Sequence, residues 1–154
     1  ISIENNLRIL DSDLSDGNFV FLEGSYLWEN YFFKTKLDWL KGESVSLIAR
    51  LKDDSNYISC SFYDKKIRIK QYINGKEKIM SEKEIPFEIS KENLELGIAV
   101  NNDKVNCFIN GDSVLYSYYL SSVLSNGGIG FKIWDPKINN SKIIIKEVSV
   151  EKIK

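Results

Sequence analysis

The chain has 154 residues, 43% hydrophobic and 12% aromatic, with a formal net charge of -1. That length suits one domain burying roughly 68–70% of its unfolded surface, and the composition excludes intrinsic disorder. The charge argues against a domain-wide footprint for nucleic acid, no apolar run approaches the roughly 20 residues of a membrane span, and the absence of histidine removes Ser-His and Cys-His nucleophiles.

Residues 1–10 read as an opening strand with Ile3, Leu7 and Ile9 as apolar positions, followed by an acidic turn through Asp11, Asp13 and Asp16. A short apolar run covers 19–22. An aromatic-rich stretch follows at 25–39, where Phe33, Thr35 and Leu37 alternate with Lys34, Lys36 and Asp38. Residues 46–63 are expected to form a central hairpin whose turn chemistry comes from Lys52, Asp53, Asp54, Ser55 and Asn56. Asp64-Lys65-Lys66 turns into 67–73, with Ile67, Ile69 and Ile73 on one face and Arg68, Lys70 and Tyr72 on the other. Asn74-Gly75 signals a tight hairpin returning through 76–80, and Pro86 marks 82–93 as a loop or edge segment. Residues 94–100 and 105–109 pair around Asn101, Asn102 and Asp103, and Asn110-Gly111 leads into 114–119. A short helical turn fits 120–124, Gly127-Gly128 opens a strand over 129–134, and 142–150 closes the sheet. About eleven to thirteen short strands without a credible helix imply an all-β, two-sheet antiparallel sandwich in one domain.

Cys60 sits beside Ile58 and Phe62, and Cys107 beside Val105 and Ile109, all in the inward phase of their strands. Both read as small apolar core thiols; the pair allows one disulfide at most and, without histidine, no zinc site of cysteines and histidines. The chain opens at Ile1 without methionine, and the expectation is a domain excised from a larger multidomain protein, its signal peptide or other domains removed.

The runs Trp28-Glu29-Asn30-Tyr31, Leu47-Ile48-Ala49-Arg50 and Asn56-Tyr57 resemble the concanavalin A-like jelly-roll modules. Ile109-Asn110-Gly111, Gly127-Gly128-Ile129-Gly130-Phe131 and the closing segment 143–150 fit the same pattern. Within that superfamily the chain is most similar to the group with laminin G-like domains and family 66 carbohydrate-binding modules, from about residue 9 to 150. The resemblance implies a jelly roll, lectin-like binding of a polysaccharide or oligosaccharide, and an extracellular or cell-surface location. It also implies an adjoining catalytic domain in the same parent chain. Levan-binding members of the group recognise fructan ends, but no residue here independently points to fructan.

Sugar binding on a sandwich needs aromatic faces for ring C–H patches and fixed polar groups for hydroxyls. Strand alternation puts Arg50 on the face opposite Leu47, and Tyr57, Ser59, Ser61 and Tyr63 opposite Ile58, Cys60 and Phe62. Arg50, Tyr57, Ser59 and Tyr63 form a candidate platform across neighbouring strands. Arg50 offers a planar fork of donors; its alternative role is a framework arginine paired with Asp53 or Asp54. Trp28, flanked by Glu29 and Asn30, and Trp134, beside Asp135, are the aromatic candidates, with a core role as the alternative. Trp39, Tyr31 and Phe33 read as core. Asp11, Asp13 and Asp16 could chelate a structural calcium, which jelly rolls of this superfamily often carry. Their spacing is not that of an EF-hand, and a solvated turn is the default; no other cofactor is implied. Lys65, Lys66, Arg68, Lys70, Lys76 and Lys78, interleaved with Tyr72, form a basic hairpin diluted by Glu77, Glu82 and Glu84, readable as a nucleic-acid or anionic-glycan surface or as edge protection. The Glu-x-Asp-x-x-Glu run of sandwich glycosidases is missing, and the scattered carboxylates suggest no hydrolytic pair. The reading is a non-catalytic carbohydrate-binding module. The alternatives are an interaction or spacer domain packed on a catalytic neighbour and, more distantly, a glycosidase.

Overall fold

A computed structural model of the chain describes residues 7–10, 18–21, 26–118, 122–137 and 140–154. Its strands are β1 (Leu7–Leu10), β2 (Asn18–Phe21), β3 (Tyr31–Lys41), β4 (Ser44–Asp53), β5 (Asn56–Tyr63) and β6 (Lys66–Ile73). They continue as β7 (Lys76–Glu84), β8 (Leu94–Asn101), β9 (Lys104–Ile109), β10 (Asp112–Tyr118), β11 (Gly128–Trp134) and β12 (Lys142–Lys152). A single 3-10 turn, Ser122–Leu124, is the helical element among the described residues.

The strands pair antiparallel into two six-stranded sheets, ordered β1-β12-β3-β8-β9-β10 and β2-β11-β4-β5-β6-β7. The result is a two-sheet jelly-roll sandwich. Alternation builds its interior: Tyr31, Phe33, Leu37 and Trp39 of β3 face Val45, Leu47 and Ala49 of β4 and Ile58 and Phe62 of β5 in one buried cluster. Each fully buried Val, Leu, Ile or Phe side chain among them contributes about 1.5–3 kcal/mol relative to exposure. Thr35 shares the inward phase and is satisfied there, donating to the Glu147 carbonyl at 2.7 Å, where a bulge in β12 breaks the ladder. Asn74-Gly75 and Asn110-Gly111 each place two successive residues at positive φ, as a tight two-residue hairpin demands.

Residues 82–84 belong to β7, the edge strand of its sheet, and 85–93 connect without a strand, so the expected loop or edge segment is each in turn. One expectation needs correction. The cysteines are not free thiols: Cys60 on β5 and Cys107 on β9 form a disulfide with Cα atoms 5.9 Å apart. Their inward phase was legible; that the two sheets bring them face to face was not. The bond ties one sheet to the other through the middle of the core.

Candidate functional site

The outer face of the β2-β11-β4-β5-β6-β7 sheet carries a groove of about 480 Å³. Ladder register sets its side chains in rows. One row runs Lys132, Ser46, Ser61, Arg68 across β11, β4, β5 and β6. The adjacent rows hold Trp134, Ser44 and Tyr63 on one side and Ser59 with Lys70 on the other. Beyond Ser59 and Lys70 stand Tyr57 and Tyr72, paired across β5 and β6. The same period-2 alternation that sends Ile58, Cys60 and Phe62 inward therefore aims Tyr57, Ser59, Ser61 and Tyr63 at the groove.

Its floor is hydroxylic. Ser61 Oγ lies 2.8 Å from Ser46 Oγ and 3.2 Å from Ser59 Oγ. A hydroxyl has one donor and two acceptor sites, so this chain of three retains a donor and several lone pairs, although the side chains above leave Ser46 5% and Ser59 and Ser61 2% exposed. One end is aromatic: Tyr57 and Tyr72 stack at 4.3 Å, and Phe19 meets Tyr57 edge-on at 5.4 Å. With Ile48 and Leu51 they form a small apolar cluster separate from the main core. Tyr63 and half-buried Trp134 line the other end.

The long walls are charged. Lys66, Arg68 and Lys70, at alternate positions of β6, all lie over the Tyr63 ring, at 5.1, 5.4 and 5.7 Å from its centre. Lys132 reaches over from β11 to within 5.4 Å of the Tyr72 ring on β6 and 5.0 Å of Phe19. Burial alone would lower the Lys70 pKa, but hydrogen bonds to Glu77 and Tyr63 outweigh it and hold the ammonium above its ordinary value. Glu77, 2.8 Å from Lys70 Nζ, is held below the usual glutamate range chiefly by that bond. Burial pushes the Tyr72 phenol up to about 12, so at neutral pH it stays protonated and donates to Glu77 at 3.1 Å. Arg68 is paired with Glu82, which raises its pKa.

The structure brings Tyr57, Ser59, Tyr63 and Trp134 together in this groove and places Arg50, Trp28 and Asp135 elsewhere. Arg50 does not share the face of Tyr57, Ser59 and Tyr63, as simple alternation requires. Register slips at this point of β4, and Arg50 adopts φ of 52°, turning the side chain off the sheet face into the end of the sandwich. It is 1% exposed. Its guanidinium donates to the carbonyls of Glu29 (3.0 Å), Leu124 (2.8 Å) and Asn102 (3.1 Å) and to Asn30 Oδ1 (3.2 Å). It thus staples three loops together, with no role for Asp53 or Asp54: Asp53 instead accepts from Ser55 N and Asn56 Nδ2 in its own turn. Tyr31 completes the device, accepting from Arg50 N at 2.8 Å and facing the Gly127 and Gly128 carbonyls at 3.0 Å. Gly127 packs so closely that a Cβ there would lie 2.4 Å from the Arg50 carbonyl carbon.

Trp28 is half-buried, edge-on to Tyr31 at 5.7 Å, beside a small recess of about 230 Å³ outside the groove. Asp135, 7% exposed, caps the turn after β11 by accepting from Lys137 N at 2.8 Å. Trp39 is a core plug, 2% exposed, with its indole N–H on the Gly42 carbonyl. Asp11, Asp13 and Asp16 lie outside the described residues; among those described, no cluster of three or more acidic or sulfur ligands could hold a metal.

No protein-family model matches the sequence, and no curated protein is significantly similar to it in sequence. Solved structures are similar in shape. A carbohydrate-binding module, CBM66, from Bacillus subtilis matches with a TM-score of 0.72 at 19% identity, covering 89% of this chain and 83% of that one. The Bacillus licheniformis beta-glucanase matches at 0.67 and 13% identity, covering 96% and 79% of the two chains. Sheep galectin-11, in complex with glycerol, matches at 0.61 and 14%, covering 90% and 100%. The chain has the concanavalin A-like jelly-roll fold. In this jelly roll the groove residues left out of the sequence-derived platform include Ser44, Ser46, Ser61 and Lys132. Alternation already put Ser61 in the phase of Ser59, and extending it across β4 leads to Ser44 and Ser46. Lys132 could not be found this way, because only the sheet order brings β11 beside β4.

Proposed function

We propose that the chain is a non-catalytic carbohydrate-binding module that targets an attached enzyme or surface protein to a polysaccharide outside the cell. The observation that carries the reading is the groove: linked serine hydroxyls on the floor, aromatic side chains at both ends and fixed cationic donors along the walls. Aromatic faces cover the apolar patches of a sugar ring, while hydroxyls and ammonium groups meet its oxygens. Tyr63 and Trp134 carry the contact in this reading; Tyr57 and Ser59, 1% and 2% exposed, build the floor beneath it, and Arg50 shapes the fold. Similarity of fold to a carbohydrate-binding module and to a galectin supports sugar as the ligand class. The disulfide supports an oxidising compartment, as expected of a secreted or surface protein.

The groove chemistry also favours binding over hydrolysis. A glycosidase's acid needs a raised carboxyl pKa, whereas Glu77 is shifted the other way by Lys70. Glycan-array binding followed by titration calorimetry tests the proposal. Trp134→Ala and Tyr63→Ala should each weaken the selected glycan about tenfold, the equivalent of about 1.4 kcal/mol for one lost aromatic face. A blank array at high protein concentration, or full affinity in both variants, would overturn it. Turnover of a polysaccharide panel by the isolated chain would overturn the non-catalytic part.

A further inference from the structure

We infer that the groove selects an anionic glycan, one whose sugars carry a carboxylate or sulfate, over a neutral chain. This rests on the reading of the groove as the glycan site. Four cations and two carboxylates line it, whereas the whole chain has a formal net charge of -1. The positive charge is local to this surface. Three of the cations converge on the single ring of Tyr63 within 5.7 Å, an arrangement of like charges that an incoming anion relieves. The lining keeps a net positive charge, which favours an anionic ligand in the hollow.

The donor and acceptor inventory points the same way. Ammonium and guanidinium groups donate and never accept. Glu77, the acceptor opposite them, already receives Lys70 and Tyr72. A neutral sugar presents hydroxyl donors that find the serine floor and, at one end, the Glu43 carboxylate, whereas a uronate or sulfate ester brings acceptor oxygens to the more numerous cationic donors. Arg68 and Lys70 each have a carboxylate partner, but Lys66 has none among the described residues and contacts only the Tyr63 ring face. Lys66 is therefore the cation best placed to meet a ligand carboxylate at the Tyr63 end, while Lys132 lines the groove toward Tyr72 and Phe19.

The test is titration calorimetry of the chain with an oligogalacturonate, the same oligosaccharide after carboxyl reduction, a sulfated galactan, neutral levan and a single-stranded DNA of equal charge. The inference expects oligogalacturonate or sulfated galactan to bind at least tenfold tighter than the reduced and neutral sugars. Which of the two binds tells carboxylate from sulfate. Affinity should fall with added salt, and Lys66→Ala should reduce it about fivefold or more with an unchanged melting temperature. Equal affinity for the reduced oligosaccharide or levan would overturn the anionic preference while leaving the glycan site standing. DNA binding as tight as any glycan would overturn it in favour of unspecific polyanion attraction. Full affinity for an acidic glycan in Trp134→Ala and Tyr63→Ala would instead remove the groove as the site.

Discussion

Reducing the Cys60–Cys107 disulfide leaves the core volume nearly unchanged but frees the denatured chain, which makes the cost calculable. The bond joins residues 47 apart in sequence. Chain-entropy arithmetic for a closed loop of that size gives about 4 kcal/mol of stabilisation, within the 2–5 kcal/mol typical of a native disulfide. For a domain of this length that corresponds to a fall in melting temperature of about 8–16 °C. The assay is urea unfolding of the oxidised chain against the same chain reduced in denaturant and refolded with reductant present. Reduction should lower the midpoint and also raise the m value, because an uncrosslinked denatured state exposes more surface. A reduced chain within about 1 kcal/mol of the oxidised one, with unchanged m, would refute the view that the bond acts by closing a long loop between the sheets.

Arg50→Ala should cost about 3 kcal/mol or more in urea unfolding, since it removes four charge-assisted bonds and leaves carbonyls of three loops without their donor. Its glycan affinity at temperatures where it stays folded should match wild type; a stable variant that loses binding would contradict the framework role. Gly127→Ala should destabilise by about 2 kcal/mol or more in thermal unfolding, because a Cβ would collide with the Arg50 backbone at a φ of 150°. The Lys70–Glu77 pair makes a pH prediction. Glu77 has a depressed folded pKa, so its contribution is present above the ordinary value of 4.5 and is lost as pH falls through the folded value. Lys70 has a raised folded pKa, so its contribution is present below the ordinary value of 10.5 and is lost as pH rises through the folded value. Glu77→Gln should therefore be less stable than wild type by up to about 1 kcal/mol at neutral pH, and the gap should close in acid. A gap that widens on acidification would reverse the assignment.

Much of the sandwich is legible in the sequence because its strands obey one rule at a time. β3 and β5 alternate cleanly, and the Asn-Gly pairs admit little besides tight hairpins. Tyr57, Ser59 and Tyr63 follow from the phase of β5 for the same reason. Arg50 escapes because a bulge breaks that phase, and what permits the bulge is Gly127, a residue distant in sequence that lets β11 close over the Arg50 backbone. Trp28 and Trp134 look alike in sequence, each beside polar neighbours. They diverge because Trp134 ends a strand lying next to β4, whereas Trp28 precedes β3 in the opposite sheet. The cysteines show the same limit. Phase says which way a side chain points, not what stands across the core.

In the proposed function the serine-floored groove, not the Arg50 end of the sandwich, receives the sugar. Both hollows exist, the second about 510 Å³ and lined by Glu29, Asn30, Asn102, Asp103 and Ser125 around the Arg50 guanidinium. The direct measurement is a chemical-shift titration of the isotope-labelled chain with the oligosaccharide it binds. The largest shifts are expected on the amides of Ser46, Ser59, Ser61, Lys70 and Lys132 and on the Trp134 indole. Shifts concentrated on Asn30, Asn102 and Ser125, with the groove silent, would contradict that expectation.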